Sequence, residues 1–309
     1  MIVTVTLTPA LDKTVILPDF RVDAVNRVQS LRLDPGGKGI NASRVLRALG
    51  MDSLATGILG GGTGRWIEQA LAAQGIACDF VRVEQDTRTN LKVVDPLRHT
   101  NTDINEPGAP VSAEALEAVY RKADAAAQPG DLVVLAGKAP PETPDTVFAD
   151  WIVRLQRKNV QVFLDADGGL LQAGVKARPA LIKPNDAELS RLMNRHFESM
   201  EDITAAARAL VQTGIGTVVV SMGGDGALFV TAGQALRGYG LSVPVQSTVG
   251  AGDSMMAAMV YGHAAGQSFR DTCALALAVS AAAVTTPGTQ PAEKAVVSEL
   301  LARVRLEEI

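Results

Sequence analysis

Asp131-Leu132-Val133-Val134-Leu135-Ala136, then Pro144–Lys158 (PDTVFADWIVRLQRK), then Gln161-Val162-Phe163-Leu164-Asp165 is the stretch that sets the fold class. Its outer segments are short, apolar and rich in β-branched residues, and the segment between them has helical period. Such runs alternate from about Ser53 onward, the pattern of a parallel sheet covered by helices on both faces. Strands are predicted at Ile2–Leu7, Ser53–Leu59, Asp79–Glu84, Asp131–Ala136, Gln161–Asp165, Ala180–Lys183, Thr217–Ser221 and Ala227–Thr231. Helices are predicted at Gly39–Leu49, Gly64–Gln74, Ser112–Ala127, Pro144–Lys158, Asp186–Asn194, Ile203–Thr213, Gly252–Gly266, Ser268–Thr285 and Pro291–Val304. Gly50 and Gly75 stand where the first two helices should stop.

Residues 13–34 and 88–106 break the pattern. They hold short alternating stretches (Thr14–Leu17, Val28–Leu33, Thr89–Val94, His99–Ile104) with no helix between them. Alternation means strands covered on one face only. These segments are expected to form a small second sheet, usable as a flap that covers a site and excludes water; plain surface hairpins are the alternative. With no repeat, linker or low-complexity tract, residues 1–309 are expected to be one domain carrying this lid.

Composition narrows the chemistry. The two cysteines, Cys78 and Cys273, are far apart in apolar surroundings, which excludes a CxxC pair or a zinc site and predicts buried thiols. His99, His196 and His263 lack metal-ligand spacing. The net charge of −4, with signs interspersed and no basic cluster, argues against nucleic acid as a partner. The most apolar run, Cys273–Val284, is shorter than the roughly 20 residues a membrane span needs. Met1 leads directly into a strand without signal-peptide features, so a cytoplasmic location is expected.

Within this frame, Ser247-Thr248-Val249-Gly250-Ala251-Gly252-Asp253-Ser254 opens an apolar helix. The free N–H groups of a helix start bind anions, and glycine lets a phosphate approach the backbone. Asp253 beside a bound phosphate suits a base that takes the proton of an attacking hydroxyl; a Gly-rich turn with Asp favoured by the helix dipole is the plainer alternative. Asp12 follows the first strand, where an open sheet binds ligands, and can accept from sugar hydroxyls or simply form a turn. Gly36-Gly37-Lys38-Gly39-Ile40-Asn41 is not a Walker A loop, since Arg32 and Gly39 occupy its first glycine and its Ser/Thr. It does offer a close backbone, the Lys38 cation and the Asn41 amide to a polyol phosphate. Gly60-Gly61-Gly62-Thr63-Gly64 misses the dinucleotide pattern GxGxxG. In Lys183-Pro184-Asn185-Asp186-Ala187-Glu188, Asn185 and Glu188 fall on one helix face and suit the water shell of a phosphate-bound Mg²⁺. They also fit a capping box, and the two roles are compatible. Ser221-Met222-Gly223-Gly224-Asp225-Gly226-Ala227 is a strand–turn–strand with room for nucleotide phosphates, or a plain hairpin.

Together, Asp12, GGKGIN, KPNDAE, SMGGDGA and TVGAGDS make the chain resemble the ribokinase/phosphofructokinase-B superfamily over nearly its whole length, within it the 1-phosphofructokinase and tagatose-6-phosphate kinase branch. The resemblance implies a three-layer α/β/α ribokinase-like sandwich with a mostly parallel sheet and a β-sheet lid, ATP and Mg²⁺ as cofactors, and a homodimer clasped through the lid. It implies that Asp253 is the catalytic base and that Gly250, Ala251 and Gly252 form the anion hole. Asp12, Gly37, Lys38 and Asn41 match substrate positions; Asn185 and Glu188 match the magnesium element; Lys183, Asn185, Ser221, Gly223 and Gly226 match the nucleotide side. A monovalent cation such as K⁺ is implied around Val249, Ala283 and Gly288. Val25-Asn26-Arg27, Thr87-Arg88-Thr89-Asn90 and Ile104–Gly108 look like the sugar-phosphate branch, and Arg27, Lys38 and Arg88 are cations such a substrate would need.

The chain also departs from the family. Lys138 replaces a serine expected near the substrate phosphate, Glu142 replaces a glycine, and Thr8 stands where asparagine is common. The expected activity is ATP-dependent phosphorylation of a ketohexose phosphate, fructose 1-phosphate first, with tagatose 6-phosphate or fructose 6-phosphate as rivals. A nucleotide- and phosphosugar-binding protein without turnover is the alternative of another class, disfavoured by the intact GAGD.

Overall fold

The computed structural model describes residues 1–309. Its main sheet runs Leu306–Glu308, Ala235–Tyr239, Gly226–Thr231, Thr217–Ser221, Leu181–Ile182, Gln161–Asp165, Leu132–Ala136, Ile2–Thr6, Leu54–Gly60, Ala77–Cys78, with Val81–Val83 also pairing with Leu54–Gly60. Pairing is parallel from Thr217–Ser221 through to Ala77–Cys78 and antiparallel among the strands at the other edge.

Successive side chains on a strand point to opposite faces, and each face here builds its own core. Val133, Leu135, Val162, Leu164, Val218 and Val220 pack with residues of helices Ala113–Ala126, Val147–Arg157 and Met200–Gln212. Leu132, Val134, Phe163 and Val219 pack with Lys38–Leu49, Ala251–Ala264, Phe269–Ala283 and Lys294–Leu301 on the other face. The result is the expected three-layer sandwich. Ala251–Ala264 is buried almost all round, which explains its Ala, Met and Gly content: small or adaptable side chains let it lie against both the sheet and Phe269–Ala283.

Local structure differs from expectation in a few places. Asp79–Glu84 is not one strand, because the Thr56 hydroxyl takes the Asp79 carbonyl at 2.6 Å and Phe80 turns into an apolar cluster; the pairing splits into Ala77–Cys78 and Val81–Val83. Helix Gly168–Lys176 is not expected from its glycines, yet Gly174 is required where Leu164 leaves no room for a Cβ. Strand Ala235–Tyr239 hides behind Gly238, against which Leu277 packs. Lys294–Leu301 is shorter than its predicted helix, starting from an extended Glu293. Both cysteines are free thiols, Cys273 buried and Cys78 half-buried.

The second sheet is present, in the order Ser30–Gly36, Ala10–Ile16, Thr89–Asp95, Thr100–Asn105. It begins a little earlier than the predicted segments, at Ala10. Its register aligns Asp34, Asp12, Asn90 and Asn105 in one transverse row and Arg32, Thr14, Lys92 and Asp103 in the next. The opposite face carries Val15, Leu17 and Val93 with Phe20 and Leu91 against them. No helix is long and apolar enough to cross a membrane.

Candidate active site

The polar face of the small sheet, the ends of the central strands and the start of the first helix enclose a cavity of about 430 Å³. Asp12, Gly37, Lys38, Asn41, Arg88, Lys138, Gly250 and Asp253 all line it. A second cavity, of about 450 Å³, is lined by Lys183, Asn185, Glu188, Ser221, Gly223 and Gly252. Lys38 and Asp253 belong to both, so the two spaces meet at one carboxylate and one ammonium.

The junction follows from local backbone chemistry. Gly250 caps helix Ala251–Ala264 at φ 84°, a conformation that favours glycine, and the first intrahelical bond is Ser254 N–H to the Gly250 carbonyl at 2.8 Å. The N–H groups of the turn before it therefore have no helical acceptor. The turn lies between the two spaces, with Gly250 bordering the first cavity and Gly252 the second. Asp253 is buried and accepts from Asn41 Nδ2 at 2.8 Å. Burial, aided by repulsion from Asp165, raises its carboxyl to about 6, against the opposing pull of Lys38, Asn41 and Lys183.

Beneath the junction lies a charged group that the sequence did not single out. Asp165 ends strand Gln161–Asp165 and is 1 % exposed; it receives Lys38 Nζ at 2.9 Å and Lys183 Nζ at 3.1 Å. Burial works to raise the Asp165 carboxyl, but the two ammonium groups outweigh it and hold it below its ordinary value. Burial likewise disfavours charged Lys38, and Asp165 and Asp253 overcome that, so Lys38 is a fixed cation already paired within the protein. Its expected role as a free substrate cation is modified accordingly. A polar residue closing an apolar strand at the ligand end of a parallel sheet was the available signal for Asp165.

The first cavity holds polar atoms without protein partners. Asn41 Oδ1, Asn90 Oδ1 and Arg88 Nε are buried and unbonded. Asn90 Nδ2 donates to Asp12 Oδ1 at 2.9 Å, which leaves its carbonyl free as an acceptor. Burial raises the Asp12 carboxyl, countered first by that hydrogen bond. Arg88 is held by main-chain oxygens, donating to the Glu106 carbonyl at 2.8 Å. Lys138 is exposed into the cavity, and its own carbonyl accepts from Thr8 Oγ1 at 3.2 Å. Buried polar groups are normally satisfied. Two amide acceptors, a carboxylate and two cations without carboxylate partners make a set matched to a polyol bearing an anion.

In the second cavity the capping box is realised: Asn185 Oδ1 accepts from the Glu188 N–H at 2.7 Å, and Glu188 Oε2 from the Asn185 N–H at 2.9 Å. The capping box engages only Oε2 of the Glu188 carboxylate and leaves its other oxygen unengaged by that box. Gly223, at φ 56°, turns the chain between Thr217–Ser221 and Gly226–Thr231 beside this cavity.

Three predicted site residues line neither cavity, Ala251 among them, although it lies in the turn between Gly250 and Gly252. Gly226 is buried under the hairpin and lines neither cavity; the Gly238 carbonyl occupies the space a Cβ would need, which explains the glycine structurally. Arg27 is exposed on the excursion between the first two strands of the small sheet and lines neither cavity of its own chain. Residues that sequence reasoning missed, besides Asp165, are Asp34, Lys92 and Thr289, which line the first cavity only because strand register and the turn after Phe269–Ala283 carry them there.

The model of the pfkB family carbohydrate kinases matches residues 5–295. The 1-phosphofructokinase of Rhodobacter capsulatus is 37% identical over 284 residues, covering 92% of this chain and 90% of that protein. The 1-phosphofructokinase of Escherichia coli K12 is 35% identical over 306 residues, 99% and 98% of the two chains. The crystal structure of phosphofructokinase-2 from Escherichia coli in complex with fructose-6-phosphate superposes with a TM-score of 0.92 at 29% identity, covering 98% of each chain.

Proposed function

This chain belongs to the pfkB family of carbohydrate kinases, and from that premise we propose that it phosphorylates a ketohexose phosphate with ATP, converting fructose 1-phosphate to fructose 1,6-bisphosphate. The observation that carries the proposal is the meeting of two cavities at Asp253, one lined by orphaned sugar-type acceptors and cations, the other by the Asn185–Glu188 helix start. The first cavity, under the small sheet, takes the phosphosugar, and the second, beside the Asn185–Glu188 helix start, the nucleotide.

Asp253 accepts the proton of the attacking hydroxyl. The new bond forms between that oxygen and the γ-phosphorus, the bond from the γ-phosphorus to the bridging oxygen breaks, and ADP leaves. A base with a carboxyl near 6 is ionised at neutral pH yet basic enough to take a proton as the nucleophile's bond forms. The amides of Gly250, Ala251 and Gly252 face the charge that develops on the transferred group. Asn41 orients Asp253 through one amide group and offers the other to the sugar. Asp12 and Asn90 bind hydroxyls, while Arg88 and Lys138 bind the phosphate the sugar already carries. Lys183 underlies the turn, its Nζ 3.2 Å from where a Gly252 Cβ would be.

Glu188, with Asn185, would hold the water shell of Mg²⁺, which when bound neutralises phosphate charge. For a monovalent cation, the Ala283 and Gln290 carbonyls converge on the Thr286 hydroxyl at 2.8 and 2.7 Å. One hydroxyl proton serves only one of them, so this crowd of oxygens fits K⁺.

We read residues 1–309 as one kinase domain whose segments 13–34 and 88–106 form the lid, acting in the cytoplasm. Leu31, Val25, Val28 and Ile104 are exposed on the lid strands and their connection, and a second copy of the chain would cover them. Measuring ADP release with fructose 1-phosphate, fructose 6-phosphate and tagatose 6-phosphate tests the proposal. The highest kcat/KM should fall on fructose 1-phosphate; ATP binding with no ADP release on any of the three would leave a binding protein instead.

A further inference from the structure

Lys92 is unused by this mechanism, and its surroundings are unusual. Alternation along Thr89–Asp95 places it with Asn90 on the cavity face of the small sheet, while Leu91 and Val93 turn to the apolar side. Its side chain is only 15 % exposed, yet the nearest carboxylate, Asp103 on the adjacent strand, is 4.0 Å away and half-exposed. Lys92 Nζ instead reaches out of its own sheet to Ser247 Oγ at 3.4 Å.

Ser247 is buried between exposed neighbours in the irregular segment leading to the anion-binding turn. Its main chain is fixed on the far side, since the Gln246 and Ser247 N–H groups both donate to the Val284 carbonyl, at 2.8 and 3.3 Å. Its hydroxyl oxygen also accepts the Val249 N–H at 3.3 Å. A hydroxyl has two acceptor sites, and here one is taken by the small sheet and the other by the residue next to Gly250. Both bonds are long, as catalytic contacts often are before substrate draws a site together.

We infer that Lys92 is a positioning residue which, through the Ser247 hydroxyl, ties the small sheet to the Val249–Gly252 turn, so that the turn is held in its anion-binding shape while the sheet lies over the sugar. An ordinary cross-strand pair with Asp103 would need no third partner, and a ligand for the sugar phosphate would not be directed at the turn. The inference rests on the proposed kinase reaction for its kinetic consequence but not for its structural one.

Two measurements on the full-length protein test it. In kinetics with MgATP and fructose 1-phosphate, Lys92→Met and Ser247→Ala should each lower kcat about tenfold while the sugar KM moves less than about threefold, and the double variant should be no worse than either alone. A raised sugar KM with kcat intact would make Lys92 a substrate ligand, and additive losses would mean that the two side chains act separately; either overturns the tie. In amide hydrogen exchange on the substrate-free protein, Lys92→Met should speed exchange across residues 247–252 and leave Leu132–Ala136 unchanged. Unaltered exchange at 247–252 overturns the inference whether or not the wild type turns over a ketose phosphate, whereas an inactive wild type with faster exchange in the variant refutes only the kinase reading.

Discussion

Replacing Asp253 by asparagine should make the protein more stable and nearly inactive. Ionisation at about 6 in place of the ordinary 3.8 is equivalent to roughly 3 kcal/mol of destabilisation at neutral pH. A carboxylate in the first turn of a helix recovers about 0.3–1 kcal/mol from the helix dipole, so the net gain on substitution is about 2 kcal/mol. Spread over the unfolding entropy of 309 residues, about 2 cal/mol/K each, that raises Tm by about 3 °C. The amide introduced by Asp253→Asn keeps an oxygen for Asn41 Nδ2, so the packing survives. The sign with pH is fixed. Between 3.8 and 6 the folded wild type binds more protons than the unfolded chain, so its stability falls as pH rises through that window. The Tm advantage of the variant should therefore be full above about pH 6, shrink on acidification and vanish below about 4. Scanning calorimetry from about pH 4 to about pH 8 on both proteins gives the curve, and ADP release gives the activity, with kcat down about 10²–10⁴-fold. A variant less stable than the wild type at neutral pH, or an advantage independent of pH, would refute the strained carboxylate; near wild-type turnover would refute the base.

Three further outcomes follow from single side chains. Arg88→Ala removes a cation held only by main-chain carbonyls and should raise KM for the sugar phosphate about 10–100-fold with KM for ATP unchanged; equal effects on both constants would move Arg88 away from the phosphate. Lys138→Ser should weaken phosphosugar binding by about 1–3 kcal/mol, measured by calorimetric titration, and alter the ranking of ketose phosphates; an unchanged affinity and ranking would mean that Lys138 contributes nothing to recognition. Glu142, at φ 65° in the left-handed region that favours glycine, carries Cβ strain that Glu142→Gly relieves, offset by the looser unfolded chain, so stability should rise by less than about 1 kcal/mol in urea titration; a clear loss would show that the Glu142 side chain makes a contact worth more than its strain.

The layers and the reactive turn were legible in the residues alone, because both depend on local pattern. Runs such as Leu132–Ala136, short, β-branched and apolar throughout, read as strands with both faces covered, and Gly250 ahead of an apolar helix places free amides next to Asp253. The capping box at Asn185 and Glu188 is equally local, spanning one helical turn. Tertiary structure alone decided which charges meet. Lys38, Asp165 and Lys183 are distant in sequence and share a site because the neighbouring parallel strands Gln161–Asp165 and Leu181–Ile182 end side by side where helix Lys38–Leu49 begins. The same holds for Lys92 and Ser247, brought together by the register of the small sheet over the loop before the turn. It also separated look-alike glycines: Gly223 borders a cavity, whereas Gly226 serves a close approach of backbone to backbone. Burial supplied the rest, since the carboxyl of Asp253 is tuned by desolvation and by Asp165, neither of which a linear pattern of residues can express.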